Sequence, residues 1–160
     1  MGELIHRTSI AAYNRLWIIK RLKAHGANLE DLVEVYSKQI RCILEYGVPV
    51  WNPSLTKEES NDIERVQKAF LHIALGNDYL DYENALIMSN MQKLKDRRVN
   101  LCKKFAKKCS KHEKFKNWFK TKKNAPNTRS QKPKFLEPIS RLTRFRKSPI
   151  PYLTGLLNKA

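Results

Sequence analysis

Apolar residues recur at intervals of three and four along most of the chain, which is the spacing of one face of an α-helix. Residues 9–23 follow this spacing, and His25-Gly26 ends the predicted helix because glycine readily adopts a left-handed cap. Asn28 is placed to cap a second helix over residues 29–44. The positions in register are Ile10, Tyr13, Leu16, Trp17, Lys20 and Leu22 in the first helix, and Leu29, Leu32, Val33, Tyr36, Ile40, Ile43 and Leu44 in the second.

A proline pair and a capping signal separate this helix from the third. Pro49 and Pro53 exclude continued helix between them, since proline disfavours helix in the residue before it and lacks an N–H. Thr56 with Glu59 fits a capping box, in which each side chain accepts a bond from a free N–H of the first turn. The helix should end at Gly76. The residues expected to be buried in it are Ile63, Val66, Phe70, Ile73 and Ala74.

Two further helices are predicted before the composition changes. Residues 81–91 indicate a short helix with Leu86 and Ile87 inside, and residues 94–119 carry the longest helical pattern. No strand alternation or internal repeat interrupts the series. The predicted fold is therefore all-α, a small bundle of about five helices with a basic, partly disordered C-terminal arm. The apolar stripe expected on the longest helix is Leu94, Leu101, Phe105, Cys109, His112, Phe115 and Phe119.

Composition divides the chain into three parts. Residues 1–120 form the helical domain, and residues 121–148 are a basic, flexible linker because they contain prolines and little apolar content. Residues 149–160 are a short apolar C-terminal segment, which either forms a helix or docks on the body.

Charge is distributed very unevenly. The formal net charge is +17; residues 1–92 hold 10 Lys/Arg and 12 Asp/Glu, whereas residues 93–147 hold 21 Lys/Arg and 3 Asp/Glu. Such a polycationic region gains by meeting a polyanion and releasing its counterions. Nucleic acid is the first candidate partner, favoured by the aromatic residues among the charges, and an anionic membrane surface is the second. A disordered, solubilising tail is the alternative.

Two basic clusters are the candidate binding sites. The first lies on adjoining i, i+4 rows of the predicted long helix and contains Lys103, Lys104, Lys107, Lys108 and Lys111. An ordinary solvated face would carry compensating acids, and none occurs from Val99 to His112. The second cluster surrounds Phe145 and contains Arg141, Arg144, Arg146 and Lys147. It suits either single-stranded nucleic acid or recognition as a nuclear import signal.

Catalytic and metal-binding patterns are missing from the sequence. No serine, histidine and acid are spaced as a nucleophilic site, and no glycine-rich phosphate loop occurs. Cys102, Cys109 and His112 share one helical face, but the two thiols are ~10.5 Å apart in rise, too far for one zinc ion. We therefore expect no catalytic residue, no metal and no cofactor.

The expected location is intracellular, nuclear or cytoplasmic, without a membrane partner. No apolar run approaches the ~20 residues that span a bilayer, and the N-terminus lacks the pattern of a signal peptide. Three cysteines, Cys42, Cys102 and Cys109, cannot all pair within one chain, which fits a reducing compartment.

One stretch resembles a known family. Tyr46, Pro49 and Trp51 form a corner, and the capping pair Thr56 and Glu59 opens a helix that carries Glu-Arg-x-Gln-Lys. In this order, with the basic segments that follow, they resemble the C-terminal, thumb-side region of reverse transcriptases from LINE-type (non-LTR) retrotransposons. The resemblance gives these five residues structural roles and implies an RNA-directed DNA polymerase ancestry. That family's polymerase site has adjacent aspartates, and no two aspartates are adjacent here.

The expected function is accordingly that of a non-catalytic, thumb-like fragment. It would bind the backbone of RNA or DNA without sequence preference, through the basic helix and arm, with the missing palm or another protein as a further partner. The first alternative is a domesticated protein-interaction module that uses the helical faces of residues 29–44 and 63–75. The second is a gene-model fragment with no selected function.

Overall fold

The computed structural model describes residues 2–121, 135–139 and 141–159. Its described residues are mostly helical and contain no β-strand, so the all-α prediction is confirmed; a single antiparallel bridge joins Thr121 and Phe135. None of the described helices is both long and apolar enough to cross a bilayer. Much of the predicted flexible linker, residues 122–134 and 140, lies outside the described residues, so that assignment stays a prediction.

Eleven α-helical segments occur in the described residues, more than the five expected, because several predicted helices are interrupted. Two 3₁₀ turns lie at Asn52–Ser54 and Gly76–Asp78, and a π-helical segment lies at Tyr36–Arg41. The α-helices are α1 Gly2–Asn14, α2 Leu16–Ala24, α3 Leu29–Val35, α4 Cys42–Glu45, α5 Val48–Trp51, α6 Lys57–Leu75, α7 Tyr82–Met88, α8 Leu94–Lys111, α9 Glu113–Lys116, α10 Thr143–Arg146 and α11 Pro149–Asn158.

The chain forms two compact units. Unit 1 contains Met1–Tyr46 and Leu55–Arg97, and unit 2 contains Gly47–Ser54 and Arg98–Ala160. In unit 1, α1 and α2 pack along α6, and α7 also contacts α6. In unit 2, α11 contacts α5, the following 3₁₀ turn and α10. Helix α8 begins in unit 1 and continues into unit 2.

The buried face of α1 and α2 differs from the predicted face. Ile10, Tyr13 and Trp17 were expected inside but are exposed. Two small residues of α1, Ser9 and Ala12, are buried instead together with aliphatic residues, and this side of α1 and α2 packs along α6. A short step at Arg15 divides the predicted single helix, and Gly26 ends it in a left-handed conformation as predicted. The buried residues are Ile5, Ser9, Ala12, Leu16 and Ile19.

The second predicted helix runs through α3, the π segment and α4. The Asn28 side chain accepts a bond from the N–H of Asp31 at 2.8 Å, which confirms the predicted cap. Tyr36 and Ile40 are fully buried, and the Tyr36 ring stacks on Phe70 of α6 at 4.0 Å between centroids. This stack fixes the π segment against α6.

Helix α6 begins and ends where its local signals predict. The N–H of Glu59 donates to the Thr56 hydroxyl at 3.1 Å, and the N–H of Thr56 donates to the Glu59 carboxylate at 2.7 Å. Gly76 has a positive φ of 62° at the C-terminus. The capping-box prediction is therefore confirmed. In α7, however, Leu86 is buried but Ile87 is 77% exposed, so the prediction for Ile87 was wrong.

A polar network on α6 joins the elements of unit 1. The fully buried Gln67 donates to the hydroxyl of Tyr82 and to the carbonyl of Gln92, each at 3.0 Å. The Tyr82 hydroxyl donates to Glu64, which also accepts from the backbone N–H of Leu94 at 3.0 Å. Glu64 thus caps the start of α8, where the helix dipole favours a carboxylate.

Unit 2 contains a buried arginine and a helical proline turn. Arg98 is 2% exposed and donates to the side-chain oxygen of Asn52 at 3.2 Å, while the Asn52 amide donates to the Tyr152 hydroxyl at 3.0 Å. Contrary to prediction, the chain is helical between Pro49 and Pro53. Pro49 lies in the first turn of α5, where no N–H donor is needed.

Replacing Thr56 by alanine should lower the free energy of unfolding by ~1 kcal/mol, because one bond of the capping box is lost. Urea denaturation followed by circular dichroism measures the change. Thr143→Ala, at an exposed position in α10, is the matched control. Equal stability of the Thr56→Ala variant and the unsubstituted protein would contradict a stabilising cap.

Replacing Glu64 by glutamine should lower the free energy of unfolding by ~1–2 kcal/mol, because a charge-assisted acceptor for the first turn of α8 becomes neutral. The same denaturation experiment measures it. Glu34→Gln serves as control, since Glu34 pairs with Lys38 at an exposed position and the change in the free energy of unfolding should be within error. Equal effects of the two substitutions would argue against the capping role.

Candidate nucleic-acid interface

The buried side of α8 is set by residues that the apolar pattern did not identify. Leu94 and Cys109 are buried as expected, but Phe105 and His112 are exposed. The remaining positions of the expected stripe are half-buried at Leu101 and Phe115, and Phe119 is buried. Three unexpected side chains complete the buried stripe of the helix, namely Arg98, Cys102 and Ala106.

The lysine face of α8 lies opposite this buried stripe. At ~100° per residue the five lysines span an arc of ~140° on the helix circumference. Lys103 is half-buried, and the other four are exposed. No carboxylate of the described residues lies within ion-pair distance of these ammonium groups. The lysine face comprises Lys103, Lys104, Lys107, Lys108 and Lys111.

Aromatic rings follow the lysine face directly in the chain. The predicted long helix breaks at His112, which adopts an extended conformation and accepts from the N–H of Lys114. The ring centroid of Phe115 lies 5.3 Å from that of His112 and 4.8 Å from that of Trp118. Trp118 is exposed, so its ring is accessible beyond the end of α9.

The second predicted basic cluster is only partly helical. Arg144 and Arg146 lie in the single turn α10, Lys147 is its C-terminal cap, and Arg141 precedes it. All four are exposed, as is Phe145. Helix α10 contacts α11. No hydrogen bond or ion pair among the described residues joins this cluster to the lysine face.

The five residues with predicted structural roles have different environments. Trp51 is buried and Pro49 is half-buried in α5, while Thr56 and Glu59 make the capping box of α6. Tyr46, by contrast, is 85% exposed. The corner therefore places Trp51 in the interior and Tyr46 on the surface.

The cysteines are dispersed. Cys42 is exposed, whereas Cys102 and Cys109 are buried. Burial raises the pKa of the Cys102 thiol to about 11 and also raises the pKa of Cys109. Among the described residues, no three histidine, cysteine or acidic side chains come together as a metal site.

The helical faces invoked by the protein-interaction alternative are buried. Leu32, Leu44, Ile63 and Phe70 are each at most 2% exposed. A partner protein could not reach these side chains in the folded unit 1, so that alternative needs a different surface.

Comparisons of the chain with protein-family models, with curated proteins and with solved structures give no match. The resemblance to reverse transcriptases therefore rests on the order of the sequence motifs alone.

Alkylation should distinguish the three thiols. Iodoacetamide at pH 8 should modify Cys42 rapidly and leave Cys102 unmodified until the protein unfolds, because a buried neutral thiol is a poor nucleophile. Mass spectrometry of tryptic peptides with and without urea measures this. Equal rates at Cys42 and Cys102 in the native protein would contradict the buried placement.

Burial of Cys102 also predicts an alkaline loss of stability. The folded-state pKa is raised above the ordinary value of 9.0, so the unfolded state loses its proton first. This contribution to stability is present below pH 9 and is lost as the pH rises towards 11. The free energy of unfolding of the Cys102→Ala variant, measured over the same pH range, separates the contribution of Cys102 from that of the titrating tyrosines.

Proposed function

We propose that the chain is a non-catalytic helical module that binds the phosphate backbone of RNA or DNA without reading sequence. The observation that carries the proposal is the lysine face of α8, five cations on one side of a helix with no carboxylate within ion-pair distance among the described residues. Lysines in such rows contact phosphates as point charges and carry no base specificity.

A polyanion suits this face better than a compact ligand. The arc of ~140° is wider than a single phosphate requires, and it extends over about two helical turns, ~11 Å along the axis. Successive phosphates of a strand present charges over such a length. The exposed Trp118 ring adds a surface on which a base can stack, and the α10 cluster supplies further cations.

The proposal includes an origin and a location. The motif order supports descent from the thumb-side region of a LINE-type reverse transcriptase, a part that would support nucleic acid while catalysis takes place elsewhere. The lack of adjacent aspartates in the sequence supports a non-catalytic role. A nuclear or cytoplasmic location follows because the proposed ligands are found there.

A salt titration tests the lysine face. We expect binding of a fluorescent 20-nucleotide oligo(U) to weaken steeply with salt. The triple variant Lys104→Gln, Lys107→Gln, Lys108→Gln should lower the slope of log K against log salt by about 2, because each lost phosphate contact contributes ~0.7. Fluorescence anisotropy at about 25 to 300 mM KCl measures the affinity and hence the slope.

The matched control removes the same charge elsewhere. The control is a triple variant, Lys57→Gln, Lys95→Gln, Lys159→Gln, which also lowers the net charge by three at exposed positions. Its slope of log K against log salt should stay near that of the unsubstituted protein. Equal slopes for both triple variants would mean that only net charge matters, and absence of binding at low salt would overturn the proposed function.

A further inference from the structure

The outer side of α1 and α2 forms one continuous surface. The buried residues Ile5, Ala12, Leu16 and Ile19 keep helical spacing across the step at Arg15. Residues on the opposite side therefore also share one face. Tyr13 and Trp17 lie there one turn apart, each 56% exposed, with the exposed Ile10 one turn before Tyr13.

Cations follow the two rings on the same surface. No acidic residue occurs between Glu3 and Glu30. Two basic side chains of this stretch already donate hydrogen bonds within unit 1. Arg15 donates to the carbonyl of Gln39, and Lys23 donates to the carbonyl of Ala74. The remaining exposed cations nearest the rings are Lys20 and Arg21, three and four residues beyond Trp17.

We propose that this aromatic–basic face, Tyr13, Trp17, Lys20 and Arg21, binds single-stranded nucleic acid. Bases stack on the two exposed rings, and the adjacent cations contact the phosphates. Ring stacking accepts any base, because every base has a π-face. A duplex keeps its bases stacked internally and offers this face only its phosphates.

Charge and burial favour this occupant over a lipid surface. A membrane-binding helix inserts its apolar side into the bilayer. Here the apolar sides of α1 and α2 are already packed along α6, which leaves the two rings, Ile10 and Leu4 outside. Protein interfaces are depleted in lysine, whereas a polyanion requires cations beside the rings. The charge complement therefore selects a nucleic acid.

The aromatic–basic face shares no residue with the lysine face of α8, and the two proposals can fail independently. Loss of rings removes stacking without removing phosphate contacts, so it weakens binding at every salt concentration while the salt slope stays the same. Loss of lysines changes the slope. A ring variant that binds normally would overturn the aromatic–basic face and leave the proposed function standing.

The full-length protein carrying Tyr13→Ala and Trp17→Ala tests the inference. We expect it to bind 20-nucleotide oligo(U) and oligo(dT) at least ~25-fold more weakly, at ~5-fold or more per ring. Binding to a 20-base-pair duplex should change less than twofold. Trp17→Phe keeps a ring and should retain most of the affinity, and Ile87→Ala is the control for removal of an exposed apolar side chain elsewhere. The oligo(U) and oligo(dT) arms separate RNA from DNA.

A crosslinking experiment on the unsubstituted protein does not depend on the folding of any variant. Irradiation with an oligo(U) that contains 4-thiouridine should attach the base to Tyr13 or Trp17, identified by mass spectrometry of the peptide. Crosslinks confined to other peptides would overturn the proposal. Unchanged oligonucleotide affinity of the double variant would also overturn it. The same holds if the double variant no longer binds phosphatidylcholine–phosphatidylserine vesicles but still binds the oligonucleotides.

Discussion

The need to satisfy polar groups buried on α6 governs the arrangement of unit 1. Gln67 is fully buried, and its amide requires the Tyr82 hydroxyl and the Gln92 carbonyl as partners. Glu64, one turn earlier, accepts from Tyr82 and from the first N–H groups of α8. Because a buried amide without partners costs ~1–3 kcal/mol or more, α7 and the segment before α8 lie where the bonds of Gln67 form, and the half-buried Glu64 adds its bonds to the same elements.

Helix α8 carries the candidate binding surface. The helix begins at the Glu64 cap and continues unbroken to Lys111, so its periodicity assigns every later residue to a side. Arg98, Cys102 and Ala106 fall inside, and the lysines fall on the opposite side. The buried Arg98 donates from its guanidinium to the side-chain oxygen of Asn52. Helix α8 therefore carries a buried cation on its inner side and exposed cations on its outer side.

Local signals were predicted well, because each depends on a few neighbouring residues. The Asn28 cap, the Thr56–Glu59 capping box and the Gly76 stop all lie where the sequence placed them. The choice of buried face was less predictable. Tyr13 and Trp17 compete with a second stripe that mixes aliphatic residues with the small Ser9 and Ala12. Hydrophobicity alone favours the larger rings, whereas the small residues allow close helix packing. The aromatic–basic face was missed for this reason.

The sequence by itself determined the helical class, the helix ends and the position of the lysines along one side of a helix, since periodicity, capping and charge are properties of short segments. Only the tertiary structure decided which of two apolar stripes faces the interior, that Arg98 is buried, and that Tyr13 and Trp17 remain exposed. These outcomes depend on the shape and hydrogen-bonding groups of segments distant in the chain, and no local pattern contains that information.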